Sequence, residues 1–119
     1  MVDDEPDQVT LISKILGEEG YHIVKAYDGQ EAIESVKRSE PDLIILDLMM
    51  PNVDGFEVIE YLKGGEETKE IPIIVLTGRE LTKKQTQNLH GKVERIMKKG
   101  ILSMEEILEV VKSTLGTFQ

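Results

Sequence analysis

Leu43-Ile44-Ile45-Leu46-Asp47 is the stretch on which the fold turns. Four aliphatic residues in a row leave no polar face, so the run predicts a strand covered on both sides, as strands of parallel sheets are. Ile73-Ile74-Val75-Leu76 has the same character and ends in Thr77. Between the two runs, Val58, Ile59 and Leu62 recur at helical spacing after a loop that contains Pro51 and Gly55. A strand, a helix and a second doubly buried strand in that order imply a right-handed βαβ crossover and a parallel sheet.

The pattern extends in both directions. On the N-terminal side, Val9, Leu11, Ile12, Ile15 and Leu16 fall on one side of a helix that stops before Gly20, and His22 to Ala26 reads as a short strand. Asp28 and Glu31 have capping-box spacing and open a helix whose inner face is Ala32, Ile33 and Val36. On the C-terminal side, Thr82 and Gln85 open a helix with few apolar residues, which Gly91 ends. Val93 to Met97 forms a last strand. Ser103 with Glu106 caps a final helix whose stripe is Met104, Ile107, Leu108, Val111 and Leu115, ended by Gly116. The expected architecture is α/β, a doubly wound parallel sheet with helices on both faces, formed by residues 1–119 as a single domain.

Composition agrees with one core and narrows the function. Hydrophobic residues make up 39% of the chain, and 23 acidic against 14 basic residues give a net charge of −9. That balance disfavours nucleic-acid binding, which needs clustered Lys and Arg, and suits partners with cationic surfaces. There is no cysteine, which excludes disulfides and thiolate metal sites. The acidic start Met1-Val2-Asp3-Asp4-Glu5, with no long apolar run after it, predicts neither a signal peptide nor membrane insertion, and hence a cytoplasmic location.

In doubly wound sheets, ligands bind outside the carboxyl ends of the strands. The residues there are Asp3 and Asp4, Asp47, Thr77, and Lys98 or Lys99. Singly, each has a plain structural use: Asp as turn former or cap, Thr as strand former, Lys as a solvated charge. Together they bring carboxylates, a hydroxyl and an ammonium to one sheet edge. Crowded carboxylates need a cation, and hard oxygen donors favour Mg²⁺. A carboxylate beside Mg²⁺ can attack phosphorus and form an aspartyl phosphate, with the ammonium and hydroxyl holding the phosphoryl oxygens.

Asp3-Asp4-Glu5-Pro6, Asp47-Leu48-Met49-Met50-Pro51 running to Asp54-Gly55-Phe56, Leu76-Thr77-Gly78 and Lys99-Gly100 occur in that order. In these motifs and their spacing, over nearly its whole length, the chain resembles the response-regulator receiver domains of two-component signalling. The resemblance implies a flavodoxin-like fold with five strands in the order 2-1-3-4-5. It implies that Asp47 accepts a phosphoryl group from a histidine kinase or phosphotransfer protein. It further implies that Asp3, Asp4, Asp47 and the Met49 backbone carbonyl hold Mg²⁺, and that Thr77 and Lys99 bind the phosphoryl group. Lys99 is preferred to Lys98 because side chains alternate along a strand and because the family lysine directly precedes the loop residue, here Gly100. Such a domain is a switch acting on a downstream protein, with only weak self-phosphorylation and self-dephosphorylation activity.

The chain departs from the family pattern in three places. Only Met1 and Val2 precede the acidic pair, so the first strand is truncated. Ile96 stands where many members have an aromatic residue that turns inward on phosphorylation. Gly100 replaces the usual proline. The segment from Val93 to Gly100 is more similar to receivers of hybrid histidine kinases than to those of transcriptional regulators. His22 and His90 fall outside the cluster and read as surface residues. A haloacid-dehalogenase-type phosphohydrolase would need an acid two positions after its nucleophile, where Met49 stands. A phosphorylation-independent interaction module would not need the full set of Asp3, Asp4, Asp47, Thr77 and Lys99. No Gly-x-Gly-x-x-Gly follows a strand, which disfavours dinucleotide binding.

Overall fold

The computed structural model describes residues 1–2, 6–21, 25–48, 55–78, 80–98 and 104–115. The elements run α1 (Pro6–Glu18), α2 (Gly29–Ser39), β1 (Ile44–Asp47), α3 (Gly55–Gly64), β2 (Ile73–Thr77), α4 (Lys83–Leu89), β3 (Arg95–Lys98) and α5 (Met104–Leu115). The three strands form one parallel sheet in the order β1-β2-β3.

Every residue of β1 and β2 is buried, as their unbroken aliphatic sequences require. Successive side chains of a strand point to opposite faces, and the core divides accordingly. Ile44, Leu46, Ile73 and Val75 join one cluster, with Val36 of α2 and Leu62 of α3. Ile45, Ile74 and Leu76 join the other, with Ile12 and Leu16 of α1 and Ile107 and Val111 of α5. Helices therefore cover both faces, α2 and α3 packing together on one and α1 and α5 on the other. β3 is more open: Arg95 and Ile96 are exposed and only Met97 is buried. It begins at Arg95 rather than Val93. Val93 instead packs from the preceding loop onto the α2–α3 core.

The short N-terminal segment has a defined place. Val2 bridges Ala26 on one side and Leu46 on the other, both in parallel sense. Its amide donates to the Ile45 carbonyl at 2.8 Å and its carbonyl accepts from the Asp47 amide at 2.9 Å, while the Ala26 amide donates to the Met1 carbonyl at 3.0 Å. With Leu46 opposite Val75 and Val75 opposite Ile96, a single transverse row runs Ala26, Val2, Leu46, Val75, Ile96. The expected strand at His22 to Ala26 is described only at Lys25 and Ala26, since residues 22–24 lie outside the described residues.

Both helices are capped where expected, and the reciprocal box forms at the second. The Asp28 carboxylate accepts from the Glu31 amide at 2.9 Å, but the returning bond to Glu31 comes from the Tyr27 amide, one residue before the cap. At α4 the box is reciprocal: Gln85 donates its amide to Thr82 Oγ1, and Thr82 donates its own to Gln85 Oε1. Gly91, at φ +82°, takes the left-handed turn after α4. The expected cap Ser103 lies outside the described residues.

Candidate functional site at the carboxyl ends of the strands

Asp47, Thr77 and Lys98 are the last residues of β1, β2 and β3. Parallel register carries all three to the same edge: Asp47 lies opposite Leu76, and Thr77 opposite Lys98. Asp47 is 4% exposed and Thr77 2%. A carboxylate buried this deeply is costly unless hydrogen bonds or a cation compensate it, so its position at a ligand-binding edge carries functional weight. The main chain holds it from two sides. Its amide is fixed by Val2, as above. Directly after it, the Gly55 amide donates to the Leu48 carbonyl at 3.0 Å.

Gly55 opens α3 so close to this turn that a side chain does not fit. A Cβ there would lie 2.5 Å from Leu48 Cα and 2.8 Å from the Asp47 carbonyl oxygen. The glycine is thus required by close approach of two backbones. In the sequence, Gly55 is marked only by its place in Asp54-Gly55-Phe56.

Lys98, the last residue of β3, is tied to the neighbouring loop. Its ammonium pairs with Glu80, in the loop between β2 and α4. That hydrogen bond, reinforced by the lysine's charge, holds the Glu80 carboxyl below the usual carboxylate range. The pair joins residues 18 apart and has no periodic signature in the sequence. Asp3, Asp4, Met49, Arg79, Lys99 and Gly100 lie outside the described residues. Asp3 and Asp4 are the next two residues after Val2, whose carbonyl holds the Asp47 amide. Among the described residues alone, no three acidic or histidine side chains converge as a metal site. Of the two histidines, His90 is an exposed residue at the end of α4 and His22 lies outside the described residues.

A parallel sheet wound with helices on both faces, with an aspartate buried at the carboxyl end of one strand and a threonine at the end of the next, makes this a doubly wound α/β domain with a carboxylate and a hydroxyl at its ligand-binding edge. The chain belongs to the response regulator receiver domain family, whose model matches residues 1–112. Among curated proteins, it is 31% identical over 116 residues to the polar-differentiation response regulator DivK of Brucella ovis, covering 98% of this chain and 94% of that one. Among solved structures, it is similar to the receiver domain of a signal transduction histidine kinase from Syntrophus aciditrophicus (TM-score 0.86, 29% identity, 98% of this chain and 87% of that one). It is similar also to the BeF3-activated N-terminal receiver domain of RstA from Klebsiella pneumoniae (TM-score 0.84, 28% identity, 96% of this chain and 94% of that one). No helix among the described residues is long and apolar enough to cross a membrane.

Proposed function

We propose that residues 1–119 form one receiver domain in which Asp47 accepts a phosphoryl group from a histidine kinase or phosphotransfer protein, and that the modified state alters binding to a downstream partner in the cytoplasm. The observation that carries this reading is the burial of Asp47 at the end of β1 beside Thr77 at the end of β2, in a chain of the receiver family. The transverse row through Ala26, Val2, Leu46, Val75 and Ile96 supports a five-strand order 2-1-3-4-5, in which the first two strands are represented by residues 25–26 and 1–2.

In the proposed transfer, an Asp47 carboxylate oxygen forms a bond to phosphorus as the donor's phosphorus–nitrogen bond breaks, and the freed imidazole nitrogen takes a proton. Thr77, at the end of the neighbouring strand β2, donates its hydroxyl to a phosphoryl oxygen, and Lys99 supplies an ammonium. Lys98 is already paired with Glu80, which supports Lys99 in this role. The donor set fits a hard divalent cation: Asp3, Asp4 and the Asp47 carboxylate with the Met49 carbonyl are all oxygen ligands. Mg²⁺ bound there would neutralise charge on the phosphoryl oxygens during transfer.

A beryllofluoride titration tests this reading. In the presence of Mg²⁺, beryllofluoride should bind once per chain and raise the melting temperature, and Asp47→Ala should remove both effects. Absence of binding to the parent protein at millimolar Mg²⁺ would refute it.

A further inference from the structure

α4 is the most polar helix of the fold. Its sequence is Lys83-Lys84-Gln85-Thr86-Gln87-Asn88-Leu89, and Leu89 is its one buried residue. Leu81 before it and Val93 after it are only partly buried against the core. Ion pairs add an attachment on each side. Ahead of the helix, Glu80 pairs with Lys98 at the end of β3. Behind it, Lys92 pairs with Glu60 of α3 and donates to Asn88 Oδ1 at 3.0 Å. Two ion pairs therefore bracket one thinly anchored helix, each tying it to a different neighbour.

Exposed ion pairs contribute little to global stability. Local opening is another matter, because a segment with one buried side chain sits at the low end of the stability range and responds to small increments. The first pair also lies close to the site. Glu80 is three residues beyond Thr77, and Lys98 is opposite Thr77 in register. Negative charge arriving on Asp47 would compete with Glu80 for the field of that ammonium.

We propose that Glu80–Lys98 and Lys92–Glu60 are a two-ended electrostatic clamp that holds the β2–α4–β3 segment in its unphosphorylated position. Lys98 is then a positioning residue of the switch and not a phosphate ligand. The inference rests on the switch reading above, and its first test needs no phosphoryl group, so the two can fail separately.

That test is hydrogen exchange of peptides covering α4 in the unmodified protein. At low salt, Glu80→Gln and Glu60→Gln should each speed exchange in α4 by roughly two- to five-fold, the range for exposed pairs, and leave α5 unchanged. The charge swap Glu80→Lys with Lys98→Glu should restore the parent rate. In 1 M NaCl, where the Debye length falls to about 3 Å, the differences should shrink. Unchanged α4 exchange in both single variants, or no recovery in the swap, would overturn the clamp. In a second arm, Glu80→Gln should bind beryllofluoride roughly two- to five-fold more tightly. Unaltered affinity in that variant would overturn the clamp's part in the switch. Loss of beryllofluoride binding by the parent itself would instead refute the Asp47 reading.

Discussion

Replacing Gly55 by alanine probes the packing that fixes the candidate acceptor. The added Cβ would stand 2.5 Å from Leu48 Cα and 2.8 Å from the Asp47 carbonyl oxygen. Both neighbours are backbone atoms, so relief requires moving α3 or the turn after β1. Overpacking of this kind costs about 1–3 kcal/mol, against a helix-propensity gain of at most about 1 kcal/mol for alanine over glycine. With about 2.1 cal/mol/K of unfolding entropy per residue, a chain of 119 residues shifts its melting temperature by about 4 °C per kcal/mol. The net loss, about 1.5 kcal/mol at the middle of the resulting range, lowers the midpoint by about 6 °C. Gly64, at the other end of the same helix, is the control. A Cβ there meets nothing within 4 Å, so Gly64→Ala should raise stability by about 0.4–1 kcal/mol. Thermal melts of both variants, with labelling by acetyl phosphate, make the assay. Gly55→Ala should melt lower and label more slowly, because Asp47 moves with its carbonyl. A Gly55→Ala protein as stable as the parent would refute the close-approach reasoning.

Three further outcomes follow from the fold and the proposed site. Leu11 is 47% exposed on α1 whereas Ile12 and Leu16 are buried, so Leu11→Glu should slow phosphotransfer from a kinase while leaving acetyl phosphate labelling and the melting curve intact; equal loss with both donors would point to a damaged fold. Mg²⁺ at ten times its Kd should add about 1.4 kcal/mol by mass action, read as a rise of roughly 6 °C, and Asp4→Ala should reduce that rise more than Asp3→Ala; a melting curve indifferent to millimolar Mg²⁺ would dismiss the metal site. Self-dephosphorylation should be slow, because Met49, two residues after Asp47, offers an attacking water no strong hydrogen bond; Met49→Asn combined with Arg79→Glu, which replaces the cationic residue two after Thr77, should hasten phosphoryl decay at fixed Mg²⁺, and decay no faster than in the parent would show that these side chains do not set the lifetime.

What could be read in advance depended on how strongly burial constrains composition. β1 and β2 are buried on both faces, so no polar residue is tolerated within them until Asp47 and Thr77, and the runs disclosed both the strands and the site residues at their ends. Asp28 and Thr82 disclosed helix starts because a cap is a local interaction with fixed spacing. β3 was located less well because it is open on one side: Arg95 and Ile96 are exposed, and Val93 is apolar for packing from a loop rather than as part of the strand. The short first segment suggested a gap at the centre of the sheet. Among the described residues, Val2 bridges both flanking segments there, an arrangement set by long-range register that no local pattern encodes. The same holds for Glu80 with Lys98 and for Gly55 against Leu48. Each depends on where the chain returns in space, and neither has a periodic signal.

The most direct measurement is the mass of the protein after incubation with acetyl phosphate and Mg²⁺, for the parent and for Asp47→Asn. The parent should gain one phosphoryl group that is stable in acid and lost in base, and Asp47→Asn should gain none. Undiminished labelling of Asp47→Asn would contradict the assignment of Asp47 as the acceptor.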